Sequence, residues 1–145
     1  MSESVTPMQD DPEIEDAEVE EDELDEEEED ARALAETFTA LLREGKFMEA
    51  AEAHWDEDLV TLEAMDGPMA FVEGREENLN KMRWWNENHT VHGIEVEGPF
   101  VNGDQFIVRL AVDVTPKDGE RTTMTENVVY TVEDGRIVEE RYFAL

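Results

Sequence analysis

The hydrophobic positions change their spacing along the chain, from helical in the first half to alternating in the second. Apolar residues recur every three or four positions over Ala31–Glu44, which predicts a first helix with one apolar stripe. A shorter helix is predicted over Lys46–Trp55, and a strand over Leu59–Met65. The stretch Gly74–Gly93 is predicted to be a helix that ends near Asn86–Asn88 and turns into a strand.

Beyond that stretch the pattern is typical of a sheet. Four consecutive strands are predicted, over Val91–Gly98, Phe106–Thr115, Arg121–Glu133 and Arg136–Ala144. Asn102-Gly103 and Asp134-Gly135 are dipeptides that favour tight two-residue hairpins. Antiparallel strands that follow a cluster of helices indicate an α+β domain.

Charge divides the chain into two parts. Residues 1–30 carry 17 Asp or Glu and no Lys or Arg, so we expect a disordered acidic tail there and a folded domain over residues 31–145. That domain keeps 24 acids against 11 bases, which argues against nucleic acid and anionic membranes as partners. The tail could contact a basic partner, and the acidity could equally reflect a salt-adapted host.

The remaining composition narrows the classes of site. The chain has no cysteine, which excludes disulfides and thiolate metal sites. We find neither a secretory signal pattern nor an apolar run of the roughly 20 residues that span a bilayer, so we expect a cytoplasmic protein. His89 and His92 would point to opposite faces of a strand, so we expect no metal site. No motif indicates a cofactor.

Several strings in the chain resemble the SnoaL-like (polyketide cyclase-like) branch of the nuclear transport factor 2-like superfamily. They are TLEAM, RWWNENHTVH, GPFVNGDQFIVRL, DVTPKDGER and ENVVYTVEDGRIVEERYF, and together they span residues 61–143. The resemblance implies a cone, which is a curved antiparallel sheet (an α+β barrel) closed by the N-terminal helices. It also implies a homodimer through the outer face of the sheet. The superfamily includes polyketide cyclases, ketosteroid isomerases, dehydratases and members without catalysis, so fold alone does not give the function.

The turns predict a strand register. A two-residue loop at Asp134-Gly135 places Glu133 opposite Arg136 and Tyr130 opposite Glu139. A four-residue loop at Pro116–Gly119 places Arg109 opposite Glu126. The inner face of the last strands would then carry Met124, Glu126, Val128, Tyr130, Val132, Ile137 and Phe143.

This register predicts an apolar cavity with a few polar groups. Glu126 and Asp113 are the candidate catalytic residues, because a carboxyl in an apolar wall can transfer protons. The other candidate ligand-pocket residues are Glu63, Trp84, His89, Arg109 and Tyr130. An alternative is that Arg109 and Glu126 form a structural ion pair and that Asp113 is solvated. Trp84 and its neighbour Trp85 diverge by about 100° on a helix, so we expect only one of them to face the cavity.

Three functions are compatible with these residues. The first is the binding of a small, largely apolar molecule in the cone cavity. The second is acid/base catalysis of the isomerase, cyclase or dehydratase type by a pocket carboxylate. The third is a non-catalytic dimeric interaction module, in which Val129, Val138 and Tyr142 on the opposite face of the last hairpin would contribute to the dimer contact.

Overall fold

The computed structural model describes the backbone of residues 12–145, and the side chains of residue 26 and of residues 28–145. This part of the chain forms three helices and six strands. The helices are α1 (Pro12–Arg43), α2 (Phe47–His54) and α3 (Arg75–Glu87). The strands are β1 (Trp55–Leu62), β2 (Phe71–Glu73), β3 (His89–Asn102), β4 (Gln105–Pro116), β5 (Thr122–Glu133) and β6 (Arg136–Ala144).

Helix α1 contains the predicted first helix and begins earlier than the apolar stripe indicated. Pro12 stands at its first position, where the missing N–H of proline costs no hydrogen bond. The stripe of Ala31, Leu34, Phe38 and Leu42 is buried against the sheet and α2, as its spacing predicts. The disorder expected for residues 1–30 stays a prediction. Residues 1–11 of this acidic tail lie outside the described part of the chain.

The six strands form one sheet in the order β2-β1-β6-β5-β4-β3. The sheet curves around helices α1 and α3, which confirms the α+β cone. Two features differ from the prediction. β1 and β6 run parallel, so the sheet is mixed rather than wholly antiparallel, and the short β2 extends the sheet beyond β1.

The last hairpin has the predicted turn and an unpredicted bulge. Asp134 and Gly135 have φ angles of 50° and 74°, and Glu133 pairs with Arg136, as the Asp-Gly signal predicts. The pairing then shifts between Thr131 and Val132.

The bulge moves every later partner by one residue. Tyr130 pairs with Glu140 rather than with Glu139, and Val128 pairs with Tyr142. Glu140 and Tyr142 therefore face the interior, whereas Phe143 is 47% exposed. The expected positions of Tyr142 on the outer face and Phe143 on the inner face are both wrong.

The predicted pairing of Arg109 with Glu126 is also wrong by one residue. Glu126 lies opposite Leu110, and Arg109 lies opposite Asn127. The physical reason is that β4 does not turn back at the predicted loop. It continues to pair with β3 as far as Pro116, which lies opposite His89, so the connection to β5 is longer than four residues.

Candidate functional site

The inner face of the sheet, helix α3 and the loop after β1 line a half-open cavity of about 640 Å³. Its volume lies in the range of roughly 300–1,000 Å³ that is usual for small-molecule sites. Most of the lining is apolar or aromatic, including Met65, Met82, Trp84, Trp85, Leu110 and Met124. The cavity is therefore suited to a small, largely apolar molecule.

Glu126 is a half-buried carboxyl of the cavity wall that has no partner among the described residues. Its neighbours Val128 and Tyr130 on the same face of β5 are buried, and Glu126 itself lines the cavity. Among the described residues, no side chain hydrogen-bonds to it or forms an ion pair with it. Burial raises the pKa of Glu126 from 4.5 to about 7, with smaller contributions from the negative charges of Glu63 and Glu140.

Glu140 is a second cavity carboxyl, and both of its oxygens accept hydrogen bonds. The indole nitrogen of Trp55 donates to Oε2 at 2.5 Å, and the Tyr142 hydroxyl donates to Oε1 at 2.7 Å. The residue is only 2% exposed. Burial raises the pKa of Glu140 to about 7, although the two hydrogen bonds act in the opposite direction. Glu140 is thus held rigidly, whereas Glu126 is free to contact a ligand.

Lys81 on α3 binds the start of the loop that covers the cavity. Its ammonium donates to Glu63 Oε2 at 2.6 Å, to Thr61 Oγ1 at 3.1 Å and to the Met69 carbonyl at 3.1 Å. Three acceptors use all three protons of the ammonium group. Lys81 and Glu63 therefore neutralise each other and are committed to holding the loop.

Asn78, one turn earlier on α3, anchors the helix to the sheet. Its Oδ1 accepts the Thr61 hydroxyl at 2.6 Å. Its amide nitrogen donates to the carbonyls of Leu59, Val72 and Gly74 at distances of 2.9 to 3.3 Å. This buried amide is fully used by the fold.

His89 lies at the mouth of the cavity between the two tryptophans. Its ring stacks on Trp85 with centroids 4.2 Å apart and an angle of 7°, and it meets Trp84 edge to face at 6.4 Å. Nδ1 lies 2.8 Å from the Trp85 carbonyl. Because a carbonyl only accepts, Nδ1 carries the proton, and Nε2 of the neutral ring is an acceptor. Both tryptophans line the cavity, so the expectation that only one would face it is wrong.

The cavity brings together four of the seven predicted site residues: Glu126, Glu63, Trp84 and His89. Tyr130 lies deeper, in the core, where its ring stacks on Phe106 at 4.6 Å and meets Phe38 at 4.9 Å. It is only 3% exposed, and burial raises its pKa well above 10.

The positions predicted for Arg109 and Asp113 inside the cavity are wrong. The even-numbered residues of β4 face the core, so both side chains project from the outer face of the sheet. Arg109 is exposed. Asp113 accepts two hydrogen bonds from Arg121, at 2.9 and 2.7 Å, which lower the pKa of this carboxyl. The structure favours the alternative in which Asp113 is a solvated surface group.

Sequence reasoning missed Glu140, Tyr142, Lys81 and Asn78 as cavity residues. The first two were missed because the bulge in the last hairpin leaves no signal in the apolar pattern. The sequence did contain a signal for Lys81. The chain has only three lysines, and Lys81 is the one that lies on the predicted helix with an apolar face. Nothing in the sequence distinguished Asn78 from the other asparagines of α3.

A second, polar depression of about 460 Å³ lies beside α2. Arg75 donates to the carbonyl of Glu52 at 2.8 Å, and Arg136 donates to that of Ala53 at 3.3 Å. The two arginines thus donate to free carbonyls at the C-terminal end of α2, where positive charge also stabilises the helix dipole. Their role in this depression is therefore structural.

Within the described residues, no three His, Asp or Glu side chains are close enough to hold a metal ion. No helix in the same part of the chain is both long and apolar enough to cross a membrane.

A curved sheet that encloses a cavity closed by helices defines the class of nuclear transport factor 2-like α+β proteins. The model of the SnoaL-like domain matches residues 30–144, and the chain belongs to this family. A candidate SnoaL-like polyketide cyclase from Mesorhizobium loti, whose name also carries the description carbohydrate phosphatase, is similar at 51% identity. The match covers 77% of this chain and 97% of that one, with a TM-score of 0.76.

More distant structures share the fold alone. A candidate isomerase from Bacillus subtilis is 20% identical over 80% of this chain and 86% of its own, with a TM-score of 0.61. An LEH-like epoxide hydrolase from M. tuberculosis is 16% identical over 80% and 83%, with a TM-score of 0.59. No protein with a curated description matches the chain.

Proposed function

We propose that this protein binds a small, largely apolar molecule in the cavity and that Glu126 recognises the polar end of that molecule. The observation that supports the proposal is the unpartnered carboxyl of Glu126 in a mostly apolar wall. Raising a carboxyl pKa from 4.5 to about 7 corresponds to a cost on the order of 3 kcal/mol for the ionised form. A group that lowers stability in this way is typical of a functional site.

Acid/base catalysis is the second candidate function, and the pKa of Glu126 favours it. A carboxyl with a pKa of about 7 is partly ionised near neutral pH, so it can both accept and release a proton there. The names of similar structures include a cyclase, an isomerase and an epoxide hydrolase. The proposed reaction class is therefore an isomerase-, cyclase- or dehydratase-type proton transfer on the bound molecule.

Binding is tested by titrating a panel of small aromatic and alicyclic molecules and following melting temperature and affinity. We expect Glu126→Gln to weaken binding of ligands with a hydrogen-bond donor by about tenfold, because a charge-assisted hydrogen bond is replaced by a neutral one. Glu95→Gln is the matched control, since it removes the same charge from an exposed position of β3. Equal affinities for the wild type and Glu126→Gln would contradict the proposal.

Catalysis is tested on any ligand that the first experiment finds. We expect the rate to change with pH around 7 in the wild type and to fall at least about 100-fold in Glu126→Gln. A rate that is the same in both proteins would exclude Glu126 as the acid/base group while leaving the binding function intact.

Three further proposals concern partners. We propose a homodimer, a tail over residues 1–30 that can contact a basic partner, and neither nucleic acid nor membrane as a ligand. The excess of acids over bases in residues 31–145 supports the last of these. A dimeric module without a ligand is the remaining alternative, and binding of no small molecule by the cavity would favour it.

A further inference from the structure

We infer that the ligand of this cavity carries a positively charged amine, held by the Glu126 carboxylate against the aromatic wall. The inference rests on the binding function proposed above and names the chemical class of the ligand. It depends on which polar groups of the cavity remain available.

Most side-chain hydrogen-bond donors of the cavity are already used within the protein. The ammonium of Lys81 serves Glu63, Thr61 and a backbone carbonyl. The Asn78 amide serves three carbonyls, and the Tyr142 hydroxyl serves Glu140. The indole N–H of Trp55 and the hydroxyl of Thr61 are likewise donated, to Glu140 and to Asn78. Among the side-chain donors that line the cavity in the described part of the chain, the indole N–H groups of Trp84 and Trp85 are the two without a hydrogen bond.

The acceptors, in contrast, are available. Both oxygens of Glu126 lack a partner within the described chain, and Nε2 of His89 is an acceptor because Nδ1 holds the ring proton. An anionic ligand would meet these acceptors without finding an available cation, since Lys81 is paired with Glu63 at 2.6 Å. A positively charged ligand would instead balance the charge of the Glu126 carboxylate.

The aromatic residues that line the cavity also favour a positively charged ligand. Trp84 and Trp85 flank His89 at the mouth, and Tyr142 lies across the cavity on β6. The faces of indole and phenol rings attract cations that lie within about 6 Å of the ring centre. A carboxylate without a partner, in a cavity that aromatic rings also line, is suited to an organic ammonium group. The excess of acids over bases in the domain adds a long-range negative field, which also attracts cations.

The test compares three probes of similar shape and different charge: phenyltrimethylammonium, tert-butylbenzene and benzoate. Affinity is measured by NMR titration of the indole N–H resonances of Trp84 and Trp85, which also reports where the probe binds. We expect the cation to bind at least about tenfold more tightly than the neutral isostere, and benzoate to bind most weakly. Glu126→Gln should lose this tenfold preference without changing the affinity for tert-butylbenzene, and Glu95→Gln should behave as the wild type.

The pH dependence gives a second measurement. The affinity for phenyltrimethylammonium, which has a fixed charge, should rise from pH 6 to pH 8 as Glu126 ionises, and it should be flat in Glu126→Gln. The affinity for the neutral tert-butylbenzene should not rise between pH 6 and pH 8.

The outcomes separate this inference from the proposed function. If tert-butylbenzene binds as tightly as the cation, the inference about charge is overturned and binding of apolar molecules stands. If the cation is preferred equally by the wild type and Glu126→Gln, the assignment of Glu126 is overturned. If no probe shifts either indole resonance, both the inference and the proposed cavity fail.

Discussion

Trp55 and Glu140 are 85 residues apart in the chain, yet the Trp55 indole donates a 2.5 Å hydrogen bond to the Glu140 carboxyl inside the cone. The contact joins β1 to β6, the one parallel pair of the sheet. Because Tyr142 donates to the other oxygen at 2.7 Å, Glu140 is fixed from two sides. This pair of donors holds a buried carboxyl in the wall of the cavity, whereas the half-buried Glu126 carboxyl stays available for a ligand.

Replacing Trp55 with Phe tests that role. The phenyl ring fills only part of the space of the indole, so some packing is lost at every pH. In addition, one oxygen of a buried carboxyl loses its donor, which costs about 1–3 kcal/mol of unfolding free energy. We expect the loss to be larger at pH 8.5 than at pH 5.5, because the donor stabilises the ionised form of Glu140. Denaturant unfolding of the wild type and the variant at the two pH values measures this loss of unfolding free energy. A loss independent of pH would mean that Trp55 contributes packing alone.

Lys81 is expected to hold the loop over the cavity. Lys81→Met keeps the apolar stem and removes three hydrogen bonds, so it should cost about 1–3 kcal/mol of unfolding free energy. It should also speed amide exchange at Glu63, whose N–H donates to the Ala70 carbonyl at 2.8 Å. Lys46→Met is the control, because its ion pair with Glu44 is 3.5 Å long and exposed and should cost less than about 0.5 kcal/mol. Similar losses in both variants would contradict a specific role for Lys81.

The local turn chemistry made much of this fold predictable. Asp134-Gly135 demanded two positive φ angles, and the structure has them, so the last hairpin and the four-strand meander followed from neighbouring residues. The bulge lies in β6 between Ile137 and Glu139, where the pairing of β6 with β1 is irregular as well. Such tertiary contacts have no counterpart in the alternation of apolar and polar residues.

The contrast between local sequence and tertiary contacts also explains which site residues were predicted correctly. Glu126 was identified because it is an acid among apolar neighbours on one strand, a property of the local pattern. Glu140 was missed because a single bulge reverses the faces of all the residues beyond it in β6. Arg109 was misplaced because the length of the β4–β5 loop depends on the pairing of β4 with β3.

Trp84 and Trp85 should report ligand binding through fluorescence, since both line the cavity. We expect a change of intensity or a shift in emission wavelength in variants that retain only one of the two, because a ligand displaces water from the indole face. Trp55 is replaced by Phe in both variants to remove its emission. If neither tryptophan responds to a ligand whose binding is shown by equilibrium dialysis, the site is elsewhere.

The homodimer is predicted to form through the outer face of the sheet. Phe100, Ile107 and Phe143 are 58%, 39% and 47% exposed there. Ile107→Lys places a charge among them and should convert a dimer to a monomer in light scattering at micromolar concentration. Phe71→Lys is the control, because Phe71 is 60% exposed on β2 at the far edge of the sheet. A monomeric mass for the wild type would contradict the prediction.

Glu126→Gln should make the protein more stable at high pH. The folded pKa of Glu126 is about 7, above its ordinary value of 4.5, so ionisation favours the unfolded chain, and stability falls as pH rises from 4.5 through 7. The variant has no such charge to bury. Its gain in unfolding free energy over the wild type should therefore grow by about 1–2 kcal/mol between pH 5.5 and pH 8.5. Glu95→Gln, on the exposed face of β3, should show no comparable growth. A loss of stability on Glu126→Gln would instead mean that the carboxylate has a stabilising partner in the folded protein, and Glu126 would then be a structural residue rather than one available to a ligand.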